Sequence, residues 1–208
     1  MAKDILIFLG PQGSGKSTQA EIISKIKKYE YIVESDLLHE FIKEKHKEAK
    51  LVAQIMKKGE MVPFEITCEV LFNKINSLKS KRIIIDGFPR LLNQAHVLDY
   101  FSYKYKHNLK GIVYIDLNKK NCIKRLLLRK RADDTLNTIN TRLKIYFEKT
   151  KLVLNYYNDK NKLIKINGNQ TIENVTKELL SKIKKIVWNY GRWKNTRKYK
   201  ETKIFRYA

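Results

Sequence analysis

Eight residues near the start carry the first chemistry: Gly10-Pro11-Gln12-Gly13-Ser14-Gly15-Lys16-Ser17 satisfies GxxxxGK[ST]. The motif follows the apolar run Ile5–Leu9 and opens a segment with helical spacing, which is the context a phosphate-cradling loop requires. Its glycines allow backbone N–H groups to turn inward and meet phosphate oxygens without a Cβ in the way. A helix starting near Lys16 adds the partial positive charge of its N-terminus. Lys16 is placed to reach β and γ phosphates, and Ser17 to ligate Mg²⁺. This loop alone does not separate a kinase from a GTPase, a motor or a DNA-dependent ATPase.

Such a loop needs a sheet to carry it. Five short apolar runs read as buried parallel strands: Ile5–Leu9, Tyr31–Val33, Arg82–Asp86, Gly111–Leu117 and Leu163–Asn167. Between them lie helical spacings, such as Ala20, Ile23 and Ile26, and later Leu143, Phe147 and Leu154. The alternation predicts an α/β fold, a doubly wound five-stranded parallel sheet with helices on both faces. Ligands of such sheets bind beyond the carboxyl ends of the strands. The length of 208 residues suits one domain.

Composition narrows the class further. Hydrophobic residues make up 43% and charged residues 31%, a globular balance with no run long enough for a membrane span. A cytoplasmic protein is expected. Cys68 and Cys122 lack metal-ligand spacing, so neither zinc nor a disulfide is expected, and both read as buried apolar residues. The net charge of +23 suits anionic partners such as nucleotides, and equally reflects a chain rich in Lys, Asn, Ile and Tyr. Residues 189–208 form a basic, aromatic tail without apolar periodicity, read as a solvated extension; Trp193, Tyr199 and Phe205 among its cations would suit weak nucleic-acid contact.

Further segments follow in order: Gly59-Glu60-Met61-Val62-Pro63, Asp86-Gly87-Phe88-Pro89-Arg90 with Gln94-Ala95, Arg131-Ala132-Asp133-Asp134, and a helix bearing Arg142, Tyr146 and Thr150. Together with the phosphate loop, from Ile5 to about Ile183, they resemble the adenylate kinase family of nucleoside monophosphate kinases. The resemblance implies a monomeric enzyme that transfers the terminal phosphoryl group of MgATP to a nucleoside monophosphate, with AMP the favoured acceptor. It implies ATP contacts from Gly13, Ser14, Gly15, Lys16, Ser17, Thr18, Arg125, Arg129, Gly168 and Gln170. Acceptor contacts would come from Glu34, His39, Glu60, Met61, Val62, Gly87, Phe88, Arg90, Gln94, Arg131 and Arg142. Asp86 would hold Mg²⁺ through its water shell, Arg90 would grip the acceptor phosphate, and the Gln94 amide would pair with adenine. Lys16, Arg90, Arg129, Arg131 and Arg142 would surround the moving phosphoryl group, with Asp133 and Asp134 orienting the arginines. Residues 35–64 would form a flap over the acceptor and residues 129–135 a minimal lid over ATP, within a domain of residues 1–188.

Three departures from the family pattern stand out. His39 takes the place of an arginine that clamps the acceptor phosphate, and Lys43 is the candidate to supply the missing charge. Glu34 replaces a threonine expected to face the acceptor base, where a carboxylate would accept hydrogen bonds from adenine or guanine. Only Lys130 separates the two lid arginines. Rival readings are a kinase for UMP/CMP, GMP or a deoxynucleotide, and a nucleotide-dependent RNA-binding protein with weak kinase activity.

Overall fold

The computed structural model describes residues 1–44, 46–129 and 135–189, with side chains to residue 184. Five parallel strands form one sheet: β1 (Asp4–Leu9), β2 (Glu30–Val33), β3 (Arg82–Asp86), β4 (Asn108–Asp116) and β5 (Leu163–Asn167), in the order β2-β3-β1-β4-β5. The third and fifth strands have the boundaries their apolar runs suggest. The fourth starts at Asn108 rather than Gly111, because Asp4 and Ile5 of β1 pair with Asn108 and Leu109 before a register shift. It ends at Asp116, one residue before the expected Leu117.

Helices cover both faces, and the two-residue period of β1 divides the core between them. Ile5, Ile7 and Leu9 pack with Ile83 and Ile85 against α4 (Phe64–Ser77), α5 (Leu92–Lys104) and α8 (Lys151–Asp159). Leu6, Phe8 and Ile84 face α1 (Lys16–Lys27) and α9 (Ile172–Asn189) through Ala20, Ile23, Val175, Leu179 and Ile183. Ile26 does not join them, being 51% exposed. The buried stripe of α1 is Gln19, Ala20, Ile23 and Ser24, which turns Ile26 outward just before the helix ends.

Two smaller clusters carry the excursions from the sheet. α2 (Glu34–Lys43) and α3 (Ala49–Lys58) enclose Leu38, Phe41, Val52 and Val62. α6 (Lys119–Arg129) and α7 (Leu136–Ile145) share Cys122, Leu126, Ile139 and Leu143, and α7 continues as a π-helical stretch over Tyr146–Thr150. Cys68 and Cys122 are both buried, and burial pushes their thiols up to about 12 and about 11. Lys130, Arg131, Asp133, Asp134 and the tail from residue 190 lie outside the described residues. No described helix is long and apolar enough to cross a membrane.

Candidate active site

The phosphate loop occupies the turn between β1 and α1, at the carboxyl edge of the sheet. Gly13 adopts φ 84°, and a Cβ there would stand 2.8 Å from the carbonyl oxygen of Cys122 on α6. Glycine is therefore required twice, by the left-handed backbone and by the close approach of a neighbouring helix. Lys16 opens α1, and its Nζ lies 3.8 Å from Asp86 Oδ1 at the end of β3, because β1 and β3 are neighbours in register Phe8↔Asp86. Burial depresses the Lys16 pKa, an effect Asp86 and Glu34 oppose and Arg90 and Arg129 reinforce.

Asp86 is buried, and its two oxygens differ. Oδ2 accepts a hydrogen bond of 3.0 Å from the Tyr31 hydroxyl, whereas Oδ1 has no hydrogen-bond donor. Burial, and after it the neighbouring Asp86 carboxylate, raises the Tyr31 pKa well above the ordinary phenol range.

One residue beyond β3 the chain turns through Gly87 and brings Arg90 back over the strand ends. Arg90 Nε donates to the Gly87 carbonyl at 2.6 Å, and Nη2 donates to Glu34 Oε2 in a short ion pair. Gln94 Oε1 accepts from the backbone N–H groups of Arg90 (2.8 Å) and Leu91 (3.1 Å), satisfying two donors at the start of α5. Thr150 Oγ1 donates to the Arg90 carbonyl at 3.1 Å, tying the π-helical stretch to the same turn. Glu34 is the first residue of α2 and only 6% exposed. Burial raises its pKa, with Asp86 adding to the rise and Arg90 and Lys16 opposing it.

Lys16, Glu34, Asp86, Gly87, Arg90 and Thr150 border one cleft of about 260 Å³. It brings together Lys16, Ser17, Asp86 and Arg129 with Glu34, His39, Glu60, Met61, Val62, Gly87, Arg90 and Arg142. His39 is exposed on α2, while Lys43 is exposed and does not reach the cleft lining. Phe88 and Gln94 lie buried and outside the lining. Glu34, expected to face a base, is turned onto Arg90 instead. Gln94 spends its acceptor oxygen on backbone, leaving Nε2 buried without a hydrogen-bond acceptor.

Gly13, Ser14, Gly15, Thr18, Arg125, Gly168 and Gln170 are outside this cleft. Arg125 joins two of them, donating to the Gly168 carbonyl (3.0 Å) and to the Ser14 carbonyl (3.5 Å). Gln170 donates to the Asn167 carbonyl and to Glu178. Tyr31 was not legible as a site residue, since nothing in a short apolar strand marks one hydroxyl as a carboxylate's partner. Tyr146 and Gln12 also line the cleft.

A phosphate loop at a strand–helix turn, a carboxylate on the adjacent strand and a second cation on the following turn define a P-loop phosphotransferase site. Comparison with known proteins gives the family. The adenylate kinase family model matches residues 8–162. An adenylate kinase of Prochlorococcus marinus is 37% identical over 181 residues, covering 87% of this chain and 99% of the relative. One from Dehalococcoides mccartyi is 34% identical over 210 residues, covering 86% and 97%, and "Adenylate kinase 1" of a Nostoc species is 36% identical over 175 residues, covering 84% and 95%. The chain belongs to the adenylate kinase family.

Proposed function

We propose that this chain transfers the γ-phosphoryl group of ATP to AMP, giving two molecules of ADP. The observation that carries the reading is the convergence of Lys16 and Arg90, cations from two separate motifs, on a single cleft. Lys16 would hold the β and γ phosphates of ATP and Arg90 the phosphate of the acceptor. Arg129 and Arg142, which line the same cleft, would neutralise charge on the phosphoryl group in flight. The attacking acceptor oxygen is already anionic, so the reaction needs no general base.

Asp86 and Ser17 fit a divalent cation bound with ATP. Asp86 Oδ1 is buried and undonated, and a hydrated Mg²⁺ would satisfy it. The cation, when bound, supplies positive charge at the phosphates. Tyr31 meanwhile fixes the other oxygen and so the orientation of the carboxylate.

Gln94, buried and outside the cleft lining, would support adenine as the acceptor base once the base is admitted to its amide. With Oε1 engaged by the backbone, the amide offers only a donor. Adenine presents N1, and cytosine N3, as an acceptor on the Watson–Crick edge, whereas guanine and uracil present an N–H there, donor against donor, so the amide excludes guanine and uracil. A base that accepts from Nε2 also removes the cost of a buried unpaired N–H. The test is label transfer. [γ-³²P]ATP with AMP should give ADP labelled at its β position, and Lys16→Met should abolish it. Label released as inorganic phosphate in the presence of AMP would refute the reading.

A further inference from the structure

We propose that Glu34 is a specificity-determining residue that competes with the acceptor's phosphate for Arg90. The inference rests on the reading of this cleft as the acceptor site.

The contacts of the guanidinium set the competition. One edge of Arg90 is the Nε/Nη2 pair, the fork that would grip a phosphate with two parallel hydrogen bonds. In this chain Nε is spent on the Gly87 carbonyl and Nη2 on Glu34 Oε2. A phosphate that takes the same edge must displace the carboxylate, and one that takes the other edge must sit close to it.

The carboxylate has little room to yield. A Cβ built on Gly87 would stand 3.0 Å from Arg90 Nη2 and 3.6 Å from Glu34 Oε2, so the three are packed against one another. Glu34 is held at the first turn of α2 and is almost fully withdrawn from solvent. Repulsion between its carboxylate and an incoming dianion is thus weakly screened.

Charge balance points the same way. Lys16 pairs with Asp86 and Arg90 with Glu34, so these four groups cancel before any substrate arrives. Arg129 and Arg142 line the same cleft, together with the further acids Asp36 and Glu60. Glu34 therefore penalises the phosphate of a nucleotide and leaves its nucleoside portion untouched.

The experiment is calorimetric titration of the full chain, without ATP, using AMP and its uncharged counterpart adenosine. Glu34→Gln keeps the size of the side chain and removes the charge. AMP should bind about tenfold more tightly to this variant, or about 1.4 kcal/mol, while adenosine affinity stays within about twofold. In turnover the acceptor KM should fall while the ATP KM stays within about twofold. Glu34→Thr, which removes the carboxylate with a shorter side chain, should act in the same direction and serves if the glutamine variant folds poorly.

An AMP affinity that is unchanged or weaker in both variants would overturn the proposal, the weaker result meaning that Glu34 positions Arg90. Parallel weakening of adenosine would also overturn it, by placing Glu34 on the base. Absence of ADP formation by the wild-type chain would instead count against the proposed function. AMP that still tightened in the variants would uphold the role of Glu34 regardless.

Discussion

Replacing Arg90 by alanine should damage acceptor use and stability together, and pH should separate the two effects. The substitution removes the cation that faces Glu34 and leaves Lys16 and Asp86 as its charged neighbours. Burial already raises the folded-state pKa of Glu34 above its ordinary 4.5, and loss of Arg90 raises it further. A group shifted in this direction contributes stability below the unfolded pKa, and that contribution is lost as pH rises through the folded pKa. Removing one partner of a buried ion pair costs about 3–5 kcal/mol, and the cost is smaller at pH 5, where the carboxyl of the unfolded chain is itself partly protonated. Arg90→Ala should therefore lower Tm by about 10 °C at pH 7 and by less at pH 5. The double variant Arg90→Ala/Glu34→Gln should recover most of that Tm, because no buried charge is left unpaired. It should not recover acceptor use, for which kcat/KM falls at least about a hundredfold, or about 2.7 kcal/mol. Thermal unfolding at the two pH values, paired with acceptor kinetics, reads both effects. An equal Tm loss at pH 5 and pH 7, or a double variant as unstable as the single, would refute the reasoning.

Lys16→Met should reduce kcat by at least about a thousandfold, since transition-state charge loses its neutralising partner, while the circular dichroism spectrum stays that of the wild type. Gly13→Ala should destabilise by about 2–3 kcal/mol in chemical denaturation and weaken ATP binding, because the new methyl meets the Cys122 carbonyl on a positive-φ backbone. His107 lies against Phe101 and Tyr105 with both ring nitrogens buried and unbonded, and burial, with Lys3 and the N-terminus, pushes its pKa down to about 4. A depressed histidine contributes stability above its unfolded value of 6.5 that is lost as pH falls toward about 4. His107→Phe should therefore flatten the stability profile across that window, and denaturation midpoints at pH 7, 5.5 and 4.5 would show it.

The parts of the site legible in the sequence are those written by local backbone demands. The glycine loop and the Asp86–Arg90 turn are short motifs at strand ends, and their spacing alone places Lys16 and Arg90 on one edge of a parallel sheet. β3 announces itself as an unbroken apolar run covered on both faces, whereas β5, at the sheet edge, alternates buried Ile164 and Ile166 with exposed Lys165 and Asn167, and both have the boundaries expected. Pairings between distant segments were not legible. Glu34 meets Arg90 across 56 residues because β2 lies beside β3, with Val33 opposite Asp86, and strand order is not encoded in hydrophobic period. The same adjacency brings Tyr31 to Asp86. Gln94 shows the limit of reading a residue by type. Its amide carries a donor and an acceptor, yet the helix start consumes the acceptor, and only the folded backbone reveals which half remains. Ile26 had the right spacing for burial, but the stripe of α1 runs along its other side.

The most direct test of the account is chromatographic measurement of initial rates with MgATP and each of AMP, GMP, UMP and CMP. AMP should be preferred to GMP and UMP by at least about tenfold in kcat/KM, matching one lost hydrogen bond and an opposed donor at Gln94 Nε2. Two ADP should appear for each ATP and AMP consumed. Faster transfer to GMP or UMP than to AMP, or ATP consumption that does not depend on AMP, would contradict it.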